Sequence, residues 1–206
     1  MPAPPSSARQ LGILLRQIRA CQVCAAHLPL GPRPVLQAGR GARILLASQA
    51  PGRKVHDSGI PFDDASGARL RQWLGMSEAV FYDPAQVAIV PMGFCYPGRA
   101  GSGDAPPRPE CAPLWRQRLL AQLPQIELTL VIGQYALAWH LPQAARQGVT
   151  AAVRDWQRHW PQQLVLPHPS PRNNGWLTRH PWFEAELLPR VRERVAQLLL
   201  FTQERP

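Results

Sequence analysis

Apolar residues recur at Leu11, Leu14, Leu15 and Ile18, the spacing of one helical face. The pattern then changes. Residues 42–48 (ARILLAS) form a short, nearly unbroken apolar run, as expected of a strand buried on both faces. Three more such runs follow: QVAIVPMGF from Gln86, ELTLVIG from Glu127 and QLVLPH from Gln163. Between them lie helical patterns: ARLRQWLGM ending near Gly75, APLWRQRLLAQL, QYALAWHL and AAVRDWQRHW. A long helical segment from Pro181 to Gln203 closes the chain, and Pro189 is expected to bend or divide it. Residues 1–7 are rich in proline and serine and read as a loose tail.

Strands alternating with helices predict an α/β fold. The expectation is one three-layer domain over residues 8–206, with a central four-stranded, mainly parallel sheet and helices on both faces. Ligands of such sheets bind at the carboxyl ends of the strands. Gly, Pro and polar residues concentrate in four segments that each follow a strand: Gln49 to Gly67, Cys95 to Cys111, Gly133 to Tyr135, and His168 to Gly175. These loops should converge on one edge. The last is part of LPHPSPRNNGW, which carries three prolines in eleven residues. Proline removes backbone donors and fixes φ, so this stretch is a stiff loop and not an element interior.

Charge narrows the picture. The chain of 206 residues carries 23 Lys+Arg against 13 Asp+Glu, a formal net charge of +10. Lys54 is the only lysine. Arginine grips phosphate in a planar fork, and a basic surplus of this size points to a polyanion such as nucleic acid. No apolar run reaches transmembrane length, and the first residues lack the charged-then-apolar pattern of a signal peptide. A cytoplasmic protein acting as a monomer, with no membrane partner, is expected.

There are four cysteines. Cys21 and Cys24 are separated by two residues, so both thiolates can reach one centre. Cys95 and Cys111 are separated by fifteen, too wide for a zinc-ribbon knuckle but acceptable for an iron–sulfur cluster fed from scattered loops. Zinc, free thiols and disulfides are the alternatives, and a reducing compartment disfavours the last.

The loops together resemble the uracil-DNA glycosylase superfamily. ASQAPGRKVHDSGIPF is similar to the first motif of the family 4, iron–sulfur type, in which Gly-Glu-Ala-Pro-Gly follows the first strand and a Gly-x-Pro-Phe comes soon after. HPSPRN is similar to the second motif, in the form found in single-strand-selective enzymes. CQVC followed by PVLQAGRGARILL also resembles the family 4 N-terminus. The resemblance spans roughly Cys21 to Trp176. It implies a monofunctional glycosylase of base-excision repair, acting on uracil or another deaminated base in DNA. It implies a [4Fe–4S] cluster held by Cys21, Cys24, Cys95 and Cys111. The non-catalytic alternative is a nucleic-acid-binding protein that kept the fold.

The chemistry accounts for the residue types. Cleaving an N-glycosidic bond leaves an oxocarbenium-like sugar and an anionic base, and the base must first be flipped out of any duplex. By the resemblance, Phe62 stacks on the base, His168 donates to its developing oxyanion, and Ala50, Pro51 and Gly52 shape the pocket. Ser170, Arg172 and Asn173 grip the backbone or the vacated space. Two positions depart from the family. Gln49 stands where family 4 has Glu, and Ala50 where the best-known branch has Asp. Pro91 stands where family 4 carries an Asn that reads the base edge. Gln49 through its amide, or Asp63 through its carboxylate, is expected to replace the missing acid; Asp57 and Asp64 lie in the same loop.

Overall fold

The computed structural model describes residues 7–203. The expected tail at residues 1–7 therefore lies outside the described residues, except Ser7, which opens helix α1 (Ser7–Arg19). Next come strand β1 (Ile44–Ala47) and helices α2 (Arg53–Ser58), α3 (Ala65–Leu74) and α4 (Glu78–Phe81). Strand β2 (Val87–Ile89), a hairpin of β3 (Arg99–Ala100) and β4 (Gly103–Asp104), and α5 (Cys111–Leu120) follow. Strand β5 (Leu128–Ile132) leads directly into α6 (Gly133–His140), then α7 (Pro142–Ala145) and α8 (Gly148–Arg154). Strand β6 (Gln163–Leu166), α9 (Asn174–Arg179) and α10 (Leu188–Gln203) complete the order.

The four long strands form one parallel sheet in the order β2-β1-β5-β6. Successive residues face opposite ways, and both faces are covered. Ile44, Leu46, Val87 and Ile89 pack with α3, α6, α8 and α10 residues such as Leu70, Leu137, Val153 and Val191. Leu45, Ala88 and Val90 pack with Leu11, Leu14 and Ile18 of α1 and Trp115 and Leu119 of α5. That double burial is why the strand sequences read as continuous apolar runs and not as alternation. The chain leaves β1 for β2 on one side and returns to β5 on the other. The order therefore reverses between β1 and β5, the position where open α/β sheets bind ligands.

Three departures from the sequence reading have physical causes. The segment after β1 is not all loop: Arg53–Ser58 forms α2, ended by Gly59 at φ 75°. The Cys95–Cys111 segment holds the β3–β4 hairpin, antiparallel with Arg99 opposite Asp104. The closing helix changes its winding just before Pro189. Residues Phe183–Leu187 are wound as a π-helix just before it, and this wider turn gives the proline ring room. The segment before β1 covers the sheet edge: Gln37 pairs with Ile89 through two backbone bonds of 2.9 and 2.8 Å. Val35 N–H also donates to Phe94 O at 2.7 Å, so this segment runs antiparallel to β2 and its start, nearer Cys24, lies at the Cys95 end. Among the described residues no helix is long and apolar enough to cross a membrane.

Candidate functional site

A cleft of about 540 Å³ opens at the carboxyl ends of β1, β5 and β6. Its floor comes from the first strand. Beyond β1 the ladder to the second strand continues, with Met92 N–H donating to Ser48 O at 2.8 Å and Gly93 N–H to Gln49 O at 2.9 Å. Gln49 therefore lines the cleft on a hydrogen-bonded extension of the sheet, and Ala50, Pro51 and Gly52 line it directly beyond. Pro91 lines it too and contributes no polar side-chain atom.

Phe62 is buried, 9% exposed, and lines the same cleft. Its backbone has φ 58°, a conformation costly for an aromatic residue. Two features hold it there. Its ring meets Phe81 edge-on at 6.1 Å. Gly67, in the first turn of α3, presses on its backbone so closely that a Cβ at 67 would lie 1.8 Å from Phe62 O. Sequence alone places the ring in the loop but does not show this clamp.

The turn at Phe62 also separates the two acids that follow it. Asp64 lines the cleft and caps α3, accepting from Gly67 N–H at 2.9 Å. Asp63, expected to supply the missing carboxylate, is exposed and is not part of the cleft lining. Its charge acts on Tyr82 instead.

His168 follows β6 and lines the same cleft as Phe62. Burial lowers its pKa, partly offset by the Asp64 carboxylate. Ser170 N–H donates to His168 Nδ1 at 3.3 Å. A ring that accepts at Nδ1 and is neutral carries its proton on Nε2. The loop behind it is braced at several points. Asn173 Nδ2 donates to His168 O at 2.7 Å, Ser170 Oγ accepts from Arg172 N–H at 3.3 Å, and Arg69 donates to Ser170 O at 3.2 Å. Asn173 and Ser170 thus have structural tasks in this loop as well as places in the cleft wall. Arg172 is exposed at the rim, its guanidinium over Gly103 of the hairpin.

The hairpin brings in a residue that the sequence reading omitted. Asp104 lines the cleft, and its Oδ2 lies 3.3 Å from the position of a Cβ on Gly52. Partial burial raises its pKa, opposed by Arg172 and Arg99. No spacing rule singles it out, because GSGDAPP has the composition of any turn.

The four cysteines come from three segments and line one second cavity, walled by Ile18, Leu28, Phe94 and Trp115. Burial pushes Cys95 up to about 11 and Cys111 up to about 12, and the charges of the neighbouring thiols add to both shifts. Phe94 N–H donates to Cys111 Sγ at 3.4 Å. Four soft donors lining one cavity, with burial and neighbouring thiols raising Cys24, Cys95 and Cys111, fit a cationic centre that would relieve burial and repulsion together. Among the described residues no group of three or more His, Cys, Asp or Glu side chains is arranged to hold a single metal ion.

Behind the cleft lies Arg116, 0% exposed. It donates to Val90 O at 2.9 Å and Pro91 O at 3.1 Å, and contacts His140 Nε2 at 2.6 Å. No pattern rule would place an arginine in this core. The family model of the uracil DNA glycosylase superfamily matches residues 37–192, which include every cleft residue described above.

Proposed function

Because the chain belongs to the uracil DNA glycosylase superfamily, we propose that it hydrolyses the N-glycosidic bond of uracil or another deaminated base flipped out of DNA. One observation carries the reading. Phe62 and His168, from loops after the first and last strands of the sheet, line one cleft at the point where the strand order reverses. The ring of Phe62 offers a face for the base. His168, neutral with its proton on Nε2, is a donor for the oxygen that gains charge as the base departs. A neutral donor suits this task because it stabilises the anion without first binding an acidic proton. Gln49 lines the cleft, and its amide would hold a water or the sugar. Arg172 at the rim, and Arg69 behind the His168 loop that it braces, supply charge for phosphates.

Lys54 is exposed and lies outside the cleft lining, so no amine stands ready to form a Schiff base. The enzyme is therefore monofunctional: it releases the base and does not nick the strand. Cys21, Cys24, Cys95 and Cys111 would hold a [4Fe–4S] cluster, with zinc the alternative. A cubane takes its thiolates at four separate corners, which suits thiols that share a cavity without meeting at one point. Its contribution is to tie the segment after α1 to the start of α5.

The test is an assay on oligonucleotides each carrying one uracil, hypoxanthine or xanthine, as single and double strands. Base release with strand breakage only after alkali is the expected result. No release from any of them would leave a DNA-binding protein with the glycosylase fold, and Ala50 and Pro91 would be its reason.

A further inference from the structure

Resting on the glycosylase reading, we propose that Asp104 of the β3–β4 hairpin is the carboxylate that activates water and offsets the sugar cation. The first-motif loop provides no acid: Gln49 and Ala50 occupy its two candidate positions. The other nearby carboxylates are committed or misplaced. Asp57 is bound by Arg53 Nε through both oxygens at 2.9 Å. Asp64 caps α3, and Asp63 lies outside the cleft.

Asp104 is different. Its Oδ2 lies over Gly52, two residues beyond Ala50, 3.3 Å from where a Cβ there would be, and it makes no hydrogen bond or salt bridge among the described residues. Three glycines build this placement. Gly98, at φ 93°, lets the root of the hairpin pack on Pro29. Gly52 leaves room for the Asp104 oxygen, and Gly103 leaves room for the Arg172 guanidinium. The hairpin thus closes between the two motif loops with its acid toward the cleft. Arg99, Arg172 and Asp64 are the charged groups that act on it.

The step balances simply. The C1′–N bond breaks and its electron pair leaves with the base, whose oxygen is held by His168 Nε2–H. A water oxygen bonds to C1′, and its proton passes to the Asp104 carboxylate and then to solvent. Nothing is oxidised or reduced.

The test uses the full chain and whichever deaminated base the wild type releases. Asp104→Asn should lower the single-turnover rate by roughly 10²-fold or more, while affinity for the same DNA stays equal or tightens as a negative charge is lost. Asp104→Glu should recover part of the rate. The wild-type rate should fall as pH drops through the Asp104 pKa, and Asp104→Asn should lose that acid limb. An Asp104→Asn protein with the wild-type rate and an unchanged acid limb overturns the assignment while leaving the glycosylase reading standing. A wild type inactive on every deaminated base overturns both. Thermal unfolding of each variant separates a lost carboxylate from a lost fold.

Discussion

At the scale of single residues, the cleft depends on positions that carry no chemistry themselves. Gly67 is the clearest. Its missing Cβ lets α3 begin against the backbone of Phe62. Gly67→Ala must push Phe62 out of its φ 58° conformation or move the helix. It should cost about 1–3 kcal/mol of stability and weaken capture of the base, read by urea unfolding and by the substrate dependence of the single-turnover rate. A fully active, equally stable Gly67→Ala protein would show that the clamp is not needed. His168→Ala acts differently. It should cut turnover by about 10²–10³ and leave DNA affinity unchanged, because the donor meets charge that appears only as the bond breaks. Phe62 and His168 are legible in the sequence because each belongs to a motif that follows an apolar run. The choice between Asp63 and Asp64 is not. Adjacent in the chain, they are sent to different surroundings by one left-handed residue, and nothing in IPFDDASG announces that Phe62 will adopt it.

At the scale of elements, long apolar runs locate the sheet strands to within a few residues, since double burial leaves little choice of residue type. The elements that escape the reading are short and polar. Helix α2 has six residues and the β3–β4 hairpin has two per strand, so neither shows a period. Both are defined by glycine turns and by contacts distant in sequence. Buried polar pairs between elements escape as well. Arg116 of α5 and His140 of α6 meet beneath the second strand, and burial with the neighbouring guanidinium lowers His140 to about 3. The unfolded chain, with histidine near 6.5, binds protons that the folded chain refuses. Stability is then intact above about 6.5 and falls as pH drops from there toward 3. The expected slope from His140 is about 1.4 kcal/mol per pH unit in that window, with His56 and His168, also lowered, adding the same sign. Urea unfolding at a series of pH values measures it, and stability that stays level from pH 7 to 4 would contradict it. The cysteine cage joins α1's end, the segment after β2 and α5. Purified protein should be brown with a broad visible band and about four irons per chain. Cys111→Ser should lose both the colour and thermal stability, whereas a colourless, zinc-loaded wild type would replace the cluster with a single ion.

At the scale of the whole molecule, the net charge of +10 is not spread without purpose around the cleft. Arg172 stands at the rim and Arg69 braces the loop that carries His168, while Arg99 flanks Asp104 on the hairpin. A polyanion approaching the carboxyl edge of the sheet therefore meets these guanidinium groups. Each phosphate so neutralised releases condensed counterions, so affinity falls with added salt in proportion to the number of contacts. Binding of undamaged single-stranded DNA should weaken steeply between low and moderate salt, whether or not a deaminated base is present. Arg172→Ala should lower the slope of log affinity against log salt by about 1, and by a similar amount for every DNA sequence, because a phosphate contact carries no base information. Fluorescence anisotropy across a salt series provides both numbers. If Arg172→Ala leaves the slope unchanged but weakens binding only to DNA carrying the deaminated base, Arg172 enters the space the flipped base vacates and does not hold phosphate. The +10 charge would then act through other arginines of the same face.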